Sequence, residues 1–182
     1  MNKTLLQVLI GLLAGVALLM LAGCDEQWGI APTVKAYRQE EVTFAVGDST
    51  VIDADTSNGE IIIRGVEGVQ EVHVVATLQT RGDTLEEAEE RLNEIVYHVA
   101  QDGQTVRLRD QASDQEKDVR RYSRVDFEVT VPISTRVDAE TSNGGISVEA
   151  ISGRLDLETS NGAITVYRVT GEVRADTSNG KR

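Results

Sequence analysis

Residues 137–180 run VDAETSNGGISVEAISGR (137–154), LDLETSNGAITVYRVTGE (155–172) and VRADTSNG (173–180). Set one above another, they place Thr-Ser-Asn-Gly in a single column, beginning at Thr141, Thr159 and Thr177 and spaced 18 residues apart. A fourth copy begins at Thr56. Apolar positions keep register around the tetrapeptide. Val137 and Ala139, Leu155 and Leu157, and Val173 and Ala175 precede it; Ile146 and Val148, Ile164 and Val166, and Ile61 and Ile63 follow it. Alternation of period two on both sides of a Gly-containing turn means short β-strands with one buried face. The chain is therefore expected to be mainly β and repetitive.

Two arrangements satisfy the pattern. Asn-Gly between alternating strands is a strong hairpin signal, so each copy can be the turn of an antiparallel meander. A hairpin about Asn161-Gly162, however, sets Leu155 against Arg168 on the core face and turns Val169 outward. The other arrangement is a β-solenoid with one 18-residue coil per repeat. Equal positions then stack ~4.8 Å apart. Each coil has a turn at Ser-Asn-Gly and another near Gly153 or Gly171, with Gly68 serving the first coil. Stacking favours identical residues, because asparagine amides can bond along the axis as a ladder. On this reading Asn58, Asn143, Asn161 and Asn179, with Gly59, Gly144, Gly162 and Gly180, form a structural turn ladder. The solenoid is the preferred reading.

The repeat is interrupted between its first and second copies. Val72, Val74 and Ala76 alternate as a strand, and Thr84-Leu85-Glu86-Glu87 has the form of a capping box. Leu85, Ala88, Leu92, Ile95 or Val96, and Val99 share a face, which predicts an amphipathic helix over about 84–99. Strands are expected at 105–109 and 122–131, with a charged, mobile loop over 110–121 between them.

The beginning of the chain differs from the rest. Lys3 is the only charge before Asp25, and 5–21 is apolar except for Gln7, the pattern of an export signal. It ends in Leu21-Ala22-Gly23-Cys24, which resembles the bacterial lipobox. That resemblance implies cleavage after Gly23 and an acylated Cys24 as the first mature residue. Two or three acyl chains anchor a protein stably where one does not. The organisation expected is a signal peptide at 1–23, a tether at 24–40 and one domain at 41–182. The domain lies on the extracytoplasmic side, in the periplasm or at the cell surface, lipid-anchored to the cell membrane or outer membrane. The chain stops at Asn179-Gly180-Lys181-Arg182, directly after a turn, which reads as a C-terminal truncation.

The Thr-Ser-Asn-Gly copies, the Gly-Glu-Ile-Ile-Ile strand at 59–63, the Gly-Gly-Ile-Ser-Val strand at 144–148 and the inserted helix together resemble the bacterial putative-adhesin family of β-strand-repeat proteins. Thr-Val-Pro at 130–132, just before the main run of repeats, matches as well. The resemblance covers about residue 41 to the end. It implies the fold and a place in the cell envelope, and it brings no catalytic residues.

Charge and composition narrow the chemistry. The 182 residues hold 18 Lys and Arg against 30 Asp and Glu, a net charge of −12. Such a balance argues against nonspecific binding to nucleic acid, whose affinity comes from basic residues. One cysteine and two histidines exclude an intrachain disulfide and a Cys/His zinc cluster. His73 falls on the polar side of a strand and His98 near the predicted helix end, with no nucleophile or phosphate loop in view. In a solenoid Asp138 and Asp156, and Glu140, Glu158 and Asp176, stack on the outer face, where calcium could bridge them. The chain nonetheless lacks the Gly-Gly-x-Gly-x-Asp pattern of calcium-binding rolls, and no metal or cofactor is expected.

The expected function is a non-enzymatic, lipid-anchored binding or scaffold module of the envelope. Its partners are the membrane through Cys24, an envelope or surface protein or glycan, and a second copy at an open solenoid edge. Two alternatives are an envelope-stress or signalling accessory in the periplasm and a carbohydrate-active β-helix enzyme. The enzyme would need a charged groove, for which Arg107, Arg109, Arg120, Arg121 and Arg124 supply charge without a recognisable site.

Overall fold

A computed structural model describes residues 34–47, 49–111, 115 and 117–180. Residues 1–23, expected to be a signal peptide, Cys24 and residues 25–33 lie outside the described residues. Among the described residues, twelve strands and two helices follow in the order β1 (Val34–Ala45), β2 (Val51–Thr56), β3 (Ile61–Val66), β4 (Glu71–Gly82), α1 (Leu85–Glu94), β5 (Tyr97–Asp102), β6 (Thr105–Asp110), α2 (Lys117–Tyr122), β7 (Arg124–Pro132), β8 (Arg136–Thr141), β9 (Ile146–Glu149), β10 (Leu155–Thr159), β11 (Ile164–Tyr167) and β12 (Val173–Thr177). They form two six-stranded mixed sheets, ordered β1-β4-β7-β3-β9-β11 and β12-β10-β8-β2-β6-β5.

The Thr-Ser-Asn-Gly turns carry the chain from one sheet to the other, so they are not hairpins. Strands before the tetrapeptide lie side by side in parallel: Leu155 faces Val137 on one side and Val173 on the other. Strands after it do the same, with Ile146 between Ile61 and Ile164. The antiparallel meander is thereby excluded for the repeat. Stacking order departs from chain order. The first copy, β2 and β3, sits between the pair β6 and β7 and the pair β8 and β9. The insertion thus adds strands beyond the first copy and leaves Thr56 directly beside Thr141.

Alternate residues point into the space between the sheets. Ile52, Ile61, Ile63, Phe127, Ile146, Leu155 and Leu157 are fully buried there. Each such side chain contributes about 1.5–3 kcal/mol relative to an exposed position. Thr56, Thr141 and Thr159 are the buried polar residues at the turn end of this core.

Three expectations need correction. The helix expected over 84–99 ends at Glu94; Thr84 caps it by accepting from the Glu87 N–H at 3.2 Å, and Ile95 is already extended. Residues 97–102 instead pair antiparallel with β6 across the Asp102-Gly103 turn, because Tyr97 and Val99 suit a strand whose partner is in place. Within 110–121, Lys117–Tyr122 is helical, and Val119 anchors it at 3% exposure. Residues 34–40, given to the tether, belong to β1, which pairs along its length with β4. Arg38 and Glu40 obscured that strand, since they break the apolar alternation. Arg38 bonds Asn93 of α1 at 3.2 Å, and Glu40 accepts from the Tyr97 hydroxyl.

Candidate functional site

Every residue of the tetrapeptide has a structural partner in the neighbouring copy. Thr141 Oγ1 donates to the Gly59 carbonyl at 3.0 Å, Thr159 to that of Gly144 at 2.9 Å, and Thr177 to that of Gly162 at 3.1 Å. The Ser142 amide donates to the Thr56 carbonyl and the Asn143 amide to the Ser57 carbonyl. The glycines pack so closely that a Cβ on Gly144 would lie 1.6 Å from the Gly59 oxygen. A Cβ on Gly162 would lie 1.7 Å from the Gly144 oxygen, one on Gly180 1.6 Å from the Gly162 oxygen, and one on Gly59 1.7 Å from the Val125 oxygen. Asn143 donates to Asn58 Oδ1 at 3.0 Å, Asn161 to Asn143 at 2.9 Å, and Asn179 to Asn161 at 2.9 Å. The four amides bond one another along the stack.

The acidic residues come together on the outer face of the second sheet, in two rows set by register. One row is Arg107, Asp53, Asp138, Asp156 and Arg174; the next is Arg109, Asp55, Glu140, Glu158 and Asp176. The first row is well compensated. Asp53 takes Arg109 at 2.7 Å and Arg107 at 3.8 Å, Asp138 takes Arg136 at 3.1 Å, and Asp156 takes Arg174 at 3.9 Å. In the second row Glu140 stands between two carboxylates. Loss of water, followed by the charges of Asp55 and Glu158, raises its carboxyl above the ordinary value, with Arg109 acting in the opposite sense. Among the described residues no group of three or more His, Cys, Asp and Glu side chains converges as metal ligands would.

The two histidines stay apart. His73 faces Glu41 at 3.4 Å on the outside of the first sheet, and His98 lies opposite Arg109 in the second. Arg107, Arg109 and Arg124 are taken up by Asp102, Asp53 and Asp126. Arg121 has no carboxylate partner among the described residues, and it lines a cleft with Lys35 and Arg81. Sequence reading missed those last two because 46 positions separate them in the chain, and only the β1–β4 register makes them neighbours.

No family model matches the chain, and no curated protein matches it. Among solved structures, the chain is similar to one named a putative cell adhesion protein from Clostridium sporogenes, at 10% identity and a TM-score of 0.38, covering 79% of this chain and 100% of that one. A second, named a putative lipid binding protein from Parabacteroides distasonis, is 9% identical with a TM-score of 0.30, over 77% of this chain and 60% of that one. A third, named a putative adhesin from Bacteroides fragilis, is 7% identical with a TM-score of 0.28, over 79% and 97%. At such scores these likenesses carry no inference about role. What the fold and its turn column define is a mainly-β repeat protein of two mixed sheets.

Proposed function

We propose that this chain is a non-enzymatic binding or scaffold module of the bacterial envelope, tethered by an acylated Cys24 and built as a short β-solenoid. The observation that carries the reading is the use of the repeat's own polar groups. The Thr, Asn and backbone groups of Thr-Ser-Asn-Gly bond the neighbouring copy, which leaves flat outer faces of charged side chains as the surface on offer. The solenoid reading is supported by parallel pairing at a constant 18-residue offset in both sheets. The lipid tether is supported by Leu21-Ala22-Gly23-Cys24 after an apolar segment. The partner in view is an envelope or surface protein or a glycan, met on a strand face.

Protease shaving of intact cells expressing the gene, beside a Cys24→Ala control, tests this reading. Digestion of the wild type, with the variant released or mislocalised, is the expected result for a surface module. Protection in intact cells, with cleavage after the outer membrane is permeabilised, moves the module to the periplasm and removes adhesion from its roles. A Cys24→Ala protein that fractionates as the wild type does overturns the lipid tether.

A further inference from the structure

At the edge where the Thr-Ser-Asn-Gly turns lie, a cleft of about 390 Å³ is lined by Lys35, Arg81, Arg121 and Arg124 beside Asn58 and Asn143. The topology gathers these cations from separate elements. Lys35 is the second residue of β1 and Arg81 the last but one of β4, and antiparallel register sets the two directly opposite each other. Arg121 comes from α2, and its guanidinium lies 5.4 Å from the Tyr122 ring, which Arg91 meets at 5.0 Å. Arg124 is neutralised by Asp126 at 2.6 Å. Lys35, Arg81 and Arg121 have no carboxylate partner among the described residues.

That corner runs against the rest of the molecule. Like charges directly opposite on neighbouring strands destabilise a sheet. The chain carries 30 acidic residues, a net charge of −12, and ion pairs across most of its outer faces, yet the carboxylates beside this cleft, Asp126 and Glu60, pair with Arg124, and among the described residues none pairs with Lys35, Arg81 or Arg121. Three uncompensated cations around one cleft are matched by an anion with several terminal oxygens and more than one negative charge. A carboxylate, with two oxygens and one charge, satisfies them incompletely. A phosphate group offers an acceptor for the ammonium and for both guanidinium forks.

We propose that the cleft holds a phosphate group between Lys35, Arg81 and Arg121. The same chemistry has two sources in an envelope, free phosphate and a phospholipid whose headgroup is a phosphomonoester, as in phosphatidic acid. The proposal does not depend on acylation of Cys24.

The test is a titration of the full chain in nonionic detergent, following its thermal midpoint at constant ionic strength. Inorganic phosphate and glycerol 3-phosphate, a phosphomonoester headgroup without tails, are the two ligands, and chloride is the control. A ligand that binds only the folded state raises the midpoint with its concentration. The wild type should respond to phosphate, and the Lys35→Gln/Arg81→Gln variant should need at least about tenfold more for the same rise. Both side chains are exposed and repel each other, so the variant should fold with a basal midpoint no lower than that of the wild type. Arg121→Gln, on a different element, should weaken the response independently. A stronger response to glycerol 3-phosphate than to phosphate assigns the headgroup as the source, and the reverse order assigns the free ion. No response beyond chloride, or an equal response in wild type and variants, overturns the proposal.

Discussion

Asn143 donates its side-chain amide to Asn58 Oδ1 at 3.0 Å although 85 positions separate the two residues. The contact exists because the 67–136 insertion folds away from the seam and returns the chain to it. The second copy of the repeat therefore stacks on the first as the third stacks on the second. Thr141 meets Gly59 by the same closure, at 3.0 Å.

The glycine column is the least tolerant part of the stack. Gly144→Ala puts a methyl 1.6 Å from the Gly59 oxygen, a backbone atom that moves only with its strand. The expected loss is at least about 3 kcal/mol of unfolding free energy. Gly68→Ala is the control: its φ is +78° with open space around it, so only conformational strain of about 1 kcal/mol applies. Denaturant unfolding of the two variants checks the contrast.

The asparagine ladder should cost less to break, being exposed. Asn161→Ala removes its donation to Asn143 and its acceptance from Asn179, for a loss of about 1 kcal/mol. Asn161→Asp keeps an acceptor for Asn179 but turns a carboxylate toward the Asn143 and Ser142 oxygens. Its penalty should be larger at pH 7 than at pH 4, where the protonated acid can donate again. Urea midpoints at the two pH values measure this directly.

Glu140 makes a pH prediction with a definite sign. Its folded carboxyl titrates above the ordinary value of 4.5, so the charged form is disfavoured in the folded state. The penalty is complete above the folded pKa and fades as pH falls toward 4.5. Glu140→Gln should therefore stabilise the protein at neutral pH and lose that advantage in acid. Thermal midpoints of wild type and variant across the range should converge at the acid end.

Tyr97 behaves oppositely, at the alkaline end. Burial and its hydrogen bond to Glu40 hold the phenol protonated well above the ordinary value of 10.0. The unfolded chain ionises there first, so this residue's contribution to stability falls as pH rises past 10.0. In a phenolate absorbance titration, wild type and Tyr97→Phe should superimpose through that region and separate only at higher pH. Separation at 10.0 would sink the prediction.

The sequence by itself determined the period, the place of the turns and the inward face of the repeat strands, although at the outermost strand, β12, Val173 stays 43% exposed. All three depend on local alternation and on Asn-Gly, whose backbone preferences act within a few residues. Thr84 as a helix cap was legible for the same reason, since its bond to the Glu87 amide spans three positions.

Tertiary structure alone decided what pairs with what. Tyr97 to Asp102 carries an apolar pattern that suits a helix end or a strand, and the neighbouring β6 settled it in favour of a strand. β1 was hidden because Arg38 and Glu40 occupy inward positions, where Asn93 and Tyr97 satisfy them. The Lys35–Arg81 corner had no signal at all in the chain. A cluster of like charges arises from register between distant strands, and register is set by the burial of whole faces rather than by any short stretch of residues.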